Sequence, residues 1–233
     1  NATEGHFIVE PHFKKIENRS PSFWEKLLGR SGEQAYGSVD FVIMVPVDCN
    51  LAVYNTTGDI EVTGLRGRIS LNGAGGNVTV RNIEGPLEIA SSSGEIILQD
   101  IEGNVHINAT GANVNFSGIT GDVELTNSSG QTSGEYLLGD LVLAKTIGEI
   151  ELNHIEGDIR IKSTSGKIYI AQEYGTLDVY NEYGDISVKT ELKSQKDYLI
   201  ETVSGSIDFM IPEDSGGWVT MEVNSGDIDA RIP

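Results

Sequence analysis

The chain of 233 residues carries 35 Asp and Glu against 16 Lys and Arg, a formal charge of −19, with 38% hydrophobic residues and one cysteine, Cys49. A chain this negative repels phosphate backbones and anionic headgroups, which argues against nucleic acid and against a basic membrane-binding surface. A lone cysteine excludes an internal disulfide and a cysteine-based zinc site, while the apolar share suffices for a packed core and no run of 18 apolar residues offers a bilayer span.

The chain starts at Asn1 rather than Met, which reads as a processed or trimmed product. Residues 1–57 are expected to form an N-terminal cap. Phe7-Ile8-Val9 and Phe41-Val42-Ile43-Met44-Val45 have the character of strands. Between them, Ser20-Pro21-Ser22 opens and Gly29 closes a short amphipathic helix that offers Trp24 and Leu28.

From Gly58 to Gly184 a glycine recurs every nine residues, with Ala112 as the single replacement. Two and four residues after each slot stand apolar side chains, as in Ile60/Val62, Ile96/Leu98 and Ile168/Ile170; only the unit at Gly130 departs, with Thr132 and Gly134. A spacing of two puts these side chains on one buried strand face, and glycine suits the corner between strands. The seventh position is apolar in alternate units only (Leu65, Ile83, Ile101, Ile119, Leu137, Ile155), so the true period is 18. One corner reads Ile-Glu-Gly and the other Ser/Thr-Ser-Gly. Stacking such coils pairs each strand in parallel with its equivalent one turn on. The predicted fold class is all-β, a single-domain parallel β-solenoid over residues 58–188, of 18-residue coils each made of two nine-residue strand-turn units. Beyond Val188 the glycine spacing stretches to 21 residues, Gly184 to Gly205 to Gly226, and residues 189–233 are expected to form longer coils and a C-terminal cap of one continuous domain.

The run Val45-Pro46-Val47-Asp48 leading into Asn55-Thr56-Thr57-Gly58-Asp59-Ile60, the repeated Gly-Asp-Ile/Val units, and the closing Thr202-Val203-Ser204-Gly205 and Asn224-Ser225-Gly226-Asp227-Ile228 resemble the uncharacterised adhesin-labelled domains of bacterial and archaeal envelopes. The resemblance spans about residues 39–233. It implies a right-handed β-helix, exported, with no established activity.

Two groups of residues carry candidate chemistry. In 18-residue register Asp122, Asp140 and Asp158 stack about 4.8 Å apart with Glu124 close by, a ladder that could hold a cation or act on a polysaccharide. Calcium in the manner of nine-residue β-roll repeats would need a Gly-Gly-x-Gly-x-Asp corner, which no unit has, so a solvated acidic face is the plainer reading. The second group is aromatic. Tyr169, Tyr174, Tyr180 and Tyr183 concentrate in the last third, where exposed rings on a rigid sheet could stack on sugar faces or else pack under the segment at 189–203. His6, His12, His106 and His154 fall in different columns and suggest no metal site. The expectation is a non-catalytic surface or secreted binding or structural module, contacting envelope or extracellular glycans or proteins, without cofactor. The alternatives are a polysaccharide-active β-helix enzyme and a spacer or sensor module in an envelope-stress system.

Overall fold

The computed structural model describes residues 42–193, 196–213 and 215–231. The chain divides into two compact units, Asn1–Met44 and Val45–Pro233, and the solenoid is the second. The strand expected at Phe7–Val9 and the helix expected at Ser20–Gly29 lie outside the described residues. Residues 42–46 form no strand, against the expectation for that run. No described strand pairs with them, and Pro46 has no amide hydrogen to contribute to a ladder.

Eighteen parallel strands, from β1 (Leu51–Asn55) to β18 (Ile228–Arg231), build the solenoid, and there is no helix among the described residues. Each strand pairs with the one a full turn later. Leu51 lies opposite Ile69 and Ile60 opposite Val78, an offset of one regular coil. One sheet climbs from β1 to β17 (Trp218–Ser225), the other from β2 (Ile60–Arg66) to β18. Two long strands, β5 (Leu87–Glu102) and β6 (Val105–Thr120), run through a corner and serve both sheets, so each sheet has ten rungs. The first rung precedes Gly58, and the last coils keep the same pairing with a wider offset, Leu177 opposite Tyr198 and Ile207 opposite Ile228. The added residues fall between Thr190 and Asp197 and between Met210 and Trp218.

Alternation within each strand sends Ile, Leu and Val inward, where Ile69, Ile96, Leu98 and Ile107 are fully buried. The inward positions of the second sheet run 60, 62 and then 65 rather than 64. A left-handed residue makes the extra step: Gly64, Asn82, Asp100, Gly118, Tyr136 and His154 have φ between 54° and 71° and recur once per coil. This bulge swings Leu65, Ile83 and their equivalents back into the core, which is why the seventh position is apolar in alternate units. After Ile155 the bulge disappears. The register shifts so that Ile155 faces Gln172, which is buried.

The departing unit at Gly130 is a strand in ordinary register, Thr132–Leu138, between Val114 and Ile150. Its missing bulk is supplied from the turn before, because the ring of Phe116 occupies the place where a side chain on Gly134 would go. Thr132 is buried and accepts a hydrogen bond from Lys145 Nζ at 2.9 Å.

Beside the other corner an inward column is polar. Ser91, Asn127, Lys145, Ser163, Asn181 and Thr202 are all buried. Asn127 Nδ2 donates to the carbonyl of Ala112 at 2.7 Å and Asn181 Nδ2 to that of Gly166 at 2.8 Å, so these amides serve corner carbonyls.

Candidate functional site

The structure brings Asp122, Asp140 and Asp158 into one column at the corner after Gly121, Gly139 and Gly157, as the register of the repeat predicts. Each carboxylate is tied to the backbone one turn on. Asp122 Oδ1 accepts the amide of Asp140 at 3.0 Å, Asp140 Oδ1 that of Asp158 at 2.8 Å, and Asp158 Oδ1 that of Thr176 at 2.8 Å. Asn104 Oδ1 begins the ladder by accepting the amide of Asp122 at 3.1 Å. The opposite corner repeats the device, with Asp59 Oδ1 accepting the amide of Asn77 at 2.7 Å and Asn77 Oδ1 that of Glu95 at 3.0 Å. A residue that can accept at this position satisfies the corner amide of the next turn, just ahead of its inward-facing strand residues. The amide of Thr176 first, then the Thr176 side chain and Lys196 at 3.6 Å, hold the Asp158 carboxyl below the usual carboxylate range. A general acid needs the opposite shift. Glu124 stands on the outer face of the first sheet, where its Oε2 lies 3.2 Å from His106 Nδ1 rather than on the ladder. Among the described residues no three His, Cys, Asp or Glu converge as metal ligands.

The four tyrosines do not form one patch. Tyr169 points out from the second sheet and half-buried Tyr180 from the first, while Tyr174 and Tyr183 stand at opposite corners. Sequence neighbours half a coil apart lie on opposite sides of the solenoid. Tyr174 carries Lys196 Nζ 5.7 Å from its ring centroid, a cation–π contact made by the segment inserted after Thr190. Tyr198, which belongs to the same stretch, is instead a core residue, 1% exposed, whose hydroxyl accepts the amide of Lys193 at 3.0 Å.

Tyr183 does take part in a concavity. In the position before the corner glycine the solenoid carries small residues such as Ser93, Gly111, Ser129 and Ser165, broken by Ile147 and Tyr183. These two exposed side chains stand two turns apart with Ser165 between them. They flank a notch of about 440 Å³ bordered by Glu149, Lys167 and Asp185. Two turns separate the jaws by about 9.6 Å of backbone, which leaves room for one ring-sized group.

A second concavity, of about 420 Å³, lies at the opposite corner. It is built on the left-handed column, which sequence reading missed because Gly, Asn, Asp, Tyr and His share no obvious property. Tyr136 and His154 stack with ring centroids 4.9 Å apart and planes within 7°. Nδ1 of His154 lies 3.0 Å from Glu173 Oε1, which fixes the histidine ring. Asn and Asp tolerate this backbone conformation, whereas for Tyr136 and His154 it costs of order 1–2 kcal/mol each. Thr120, Leu138 and Glu156 complete the rim.

The most perturbed group lies inside. Lys145 is 5% exposed, with Nζ donating to Thr132 Oγ1 and, at 3.0 Å, to the carbonyl of Glu149, and no carboxylate among the described residues pairs with it. Burial lowers its pKa from 10.5 to about 8. Below pH 8 both folded and unfolded chains hold the proton, and the fold bears the full cost of the buried charge. Between pH 8 and 10.5 the folded protein releases the proton while the unfolded chain keeps it, so stability rises with pH across that window. The expected gain is about 2 kcal/mol, allowing for water near the corner. Urea unfolding of the parent and of Lys145→Met at pH 7.5 to 10.5 checks this. A parent-minus-variant difference that stays flat would refute it.

No helix among the described residues is long and apolar enough to cross a membrane. No curated protein and no solved structure matches the chain. Residues 96–232, more than half of its length, match the family model described as Toastrack DUF4097, and the described ones among them form the coils from the second half of β5 onward. The chain belongs to the Toastrack DUF4097 family.

Proposed function

We propose that this solenoid is a non-catalytic binding module, exported and displayed at the cell surface, that contacts envelope or extracellular glycans or proteins through side chains at its corners. The observation that carries this reading is the notch between Ile147 and Tyr183, two exposed bulky side chains around a serine with charged groups along its border. Such a mixture suits a sugar ring, whose faces are apolar and whose edge is hydroxylated. The ladder carboxylates support the absence of catalysis, since each spends an oxygen on a backbone amide and Asp158 is shifted away from acid duty.

The test is a panel of envelope and extracellular polysaccharides incubated with the purified protein, scored for retention and for release of shortened chains. Retention without shortening is expected, reduced at least fivefold by Tyr183→Ala and unchanged by Asp140→Asn, which keeps an acceptor for the Asp158 amide. Shortened chains that vanish in Asp140→Asn would establish the enzyme instead. Neither retention nor shortening would leave protein contact or a spacer role.

A further inference from the structure

We propose that the shelf at Tyr136 is a binding slot for an arginine side chain of a partner protein. The left-handed column rises one turn per residue, from Asp100 through Gly118 and Tyr136 to His154. One face of the Tyr136 ring is covered by His154; the other looks toward Gly118, which has no side chain to cover it. A side chain cannot easily be placed there, because a Cβ on Gly118 would come within 2.9 Å of Asp100 Oδ1. The Asp100 carboxylate therefore reaches over the empty place from the turn before. The slot is thus bounded by the Tyr136 face on one side and the Asp100 carboxylate on the other, and beside it runs the concavity whose rim carries exposed Leu138 and, one turn beyond, Glu156.

These groups select a flat cation. A guanidinium stacks on an aromatic face, pairs its edge with a carboxylate and is weakly hydrated, whereas an ammonium has neither the plane nor the fork. The chain itself fills a related site with its own cation two coils on, where Lys196 Nζ lies 3.6 Å from Asp158 Oδ1 and over the Tyr174 ring. Among the described residues no lysine or arginine pairs with Asp100 or Glu156. The net charge of −19 draws basic partners toward the solenoid. The stack is also held in advance, since Glu173 fixes the His154 ring that covers Tyr136. This slot lies at the corner opposite the Tyr183 notch and stands independently of what binds there.

The experiment follows the amide and aromatic resonances of the full chain at low salt while it is titrated with acetyl-Gly-Arg-Gly-amide and, separately, with its lysine counterpart. The expected result is a localised shift at Gly118, Tyr136 and Leu138, with the lysine peptide binding about fivefold more weakly. Tyr136→Asn keeps a residue that tolerates the left-handed backbone and removes the ring. It should weaken the arginine peptide about tenfold, Glu156→Gln about threefold, and Tyr183→Ala should leave it unchanged. Glu156→Gln does not touch the backbone, so it tests the slot even where Tyr136→Asn disturbs the fold. Equal binding of the two peptides, with shifts spread along the acidic corner, would overturn the proposal in favour of unspecific charge attraction. A neutral oligosaccharide shifting the same three residues while the arginine peptide does not would overturn it in favour of a second sugar site.

Discussion

Phe116→Val and Gly134→Val made together are expected to leave a protein near the parent in stability, although each change alone costs about 2–4 kcal/mol. The reason is a size exchange between neighbouring turns. Phe116 and Gly134 are direct partners in the second sheet, and the phenyl ring lies where the Gly134 side chain would be. Shortening Phe116 alone opens a cavity over a glycine that cannot fill it. Adding a valine at Gly134 alone drives methyl groups into the ring, and a close-packed interior cannot absorb them without moving strands. The double change restores the pattern of every regular coil, a β-branched or Leu residue on each turn. Urea unfolding of the four proteins gives the coupling energy directly, and a value above about 2 kcal/mol is expected. Additive single effects would mean that the ring is not held against Gly134.

This pair shows where the sequence is legible and where it stops. The nine-residue glycine spacing and the apolar pairs establish the strands, the length of the coil and the parallel register, because each is a periodic demand repeated more than ten times. Read alone, Phe116 passes as an ordinary apolar residue and Gly134 looks like a fault; only their opposition one turn apart makes them one solution. The left-handed column is hidden for a related reason. Its requirement is a backbone angle, which Gly64, Asn82 and Asp100 meet readily and Tyr136 and His154 meet under strain, so no common side-chain property marks it. The apolar Leu65 and Ile83 that follow are its trace in the sequence.

The candidate sites divide in the same way. The aspartate column is visible because its members recur at the period of the coil. Its bonds to the amides of the next turn are not, since an acidic residue after a corner glycine reads first as solvated charge and only then as a cation ligand. The tyrosines mislead because nearness along the chain is not nearness in a coil: Tyr169 and Tyr180 sit on consecutive strands and face opposite ways. Lys145 stands just ahead of a corner and shows nothing of its burial in the sequence, yet the polar column that it joins faces inward, where neighbouring corners place Asn127 and Ser163.

Gly121→Ala is expected to destabilise the solenoid by more than about 3 kcal/mol, and Gly64→Ala by only about 1 kcal/mol. Both glycines have positive φ, +138° at Gly121 and +71° at Gly64. At Gly64 nothing lies within 4 Å of an added Cβ, so the cost is the left-handed conformation alone, which Asn82 and Asp100 already bear in the same column. At Gly121 the Cβ would stand 2.5 Å from the carbonyl oxygen of Gly103 and 2.6 Å from its carbon. The obstacle is the backbone of the turn below, held by the hydrogen bond from the Gly103 amide to the Thr120 carbonyl at 2.8 Å, and it cannot rotate away as a side chain could. Relief requires two coils to separate locally, which strains the ladder on both sides of the corner. Ala112 shows the condition under which the slot accepts a methyl group: β6 passes through that corner as continuous strand, without positive φ, and turns the Cβ into the core. Comparing urea midpoints of Gly121→Ala and Gly64→Ala with the parent measures the excess at Gly121. Equal losses would mean that neither the wider angle at Gly121 nor its contact with the turn below adds to the left-handed cost, whereas the expected excess belongs to those two demands together.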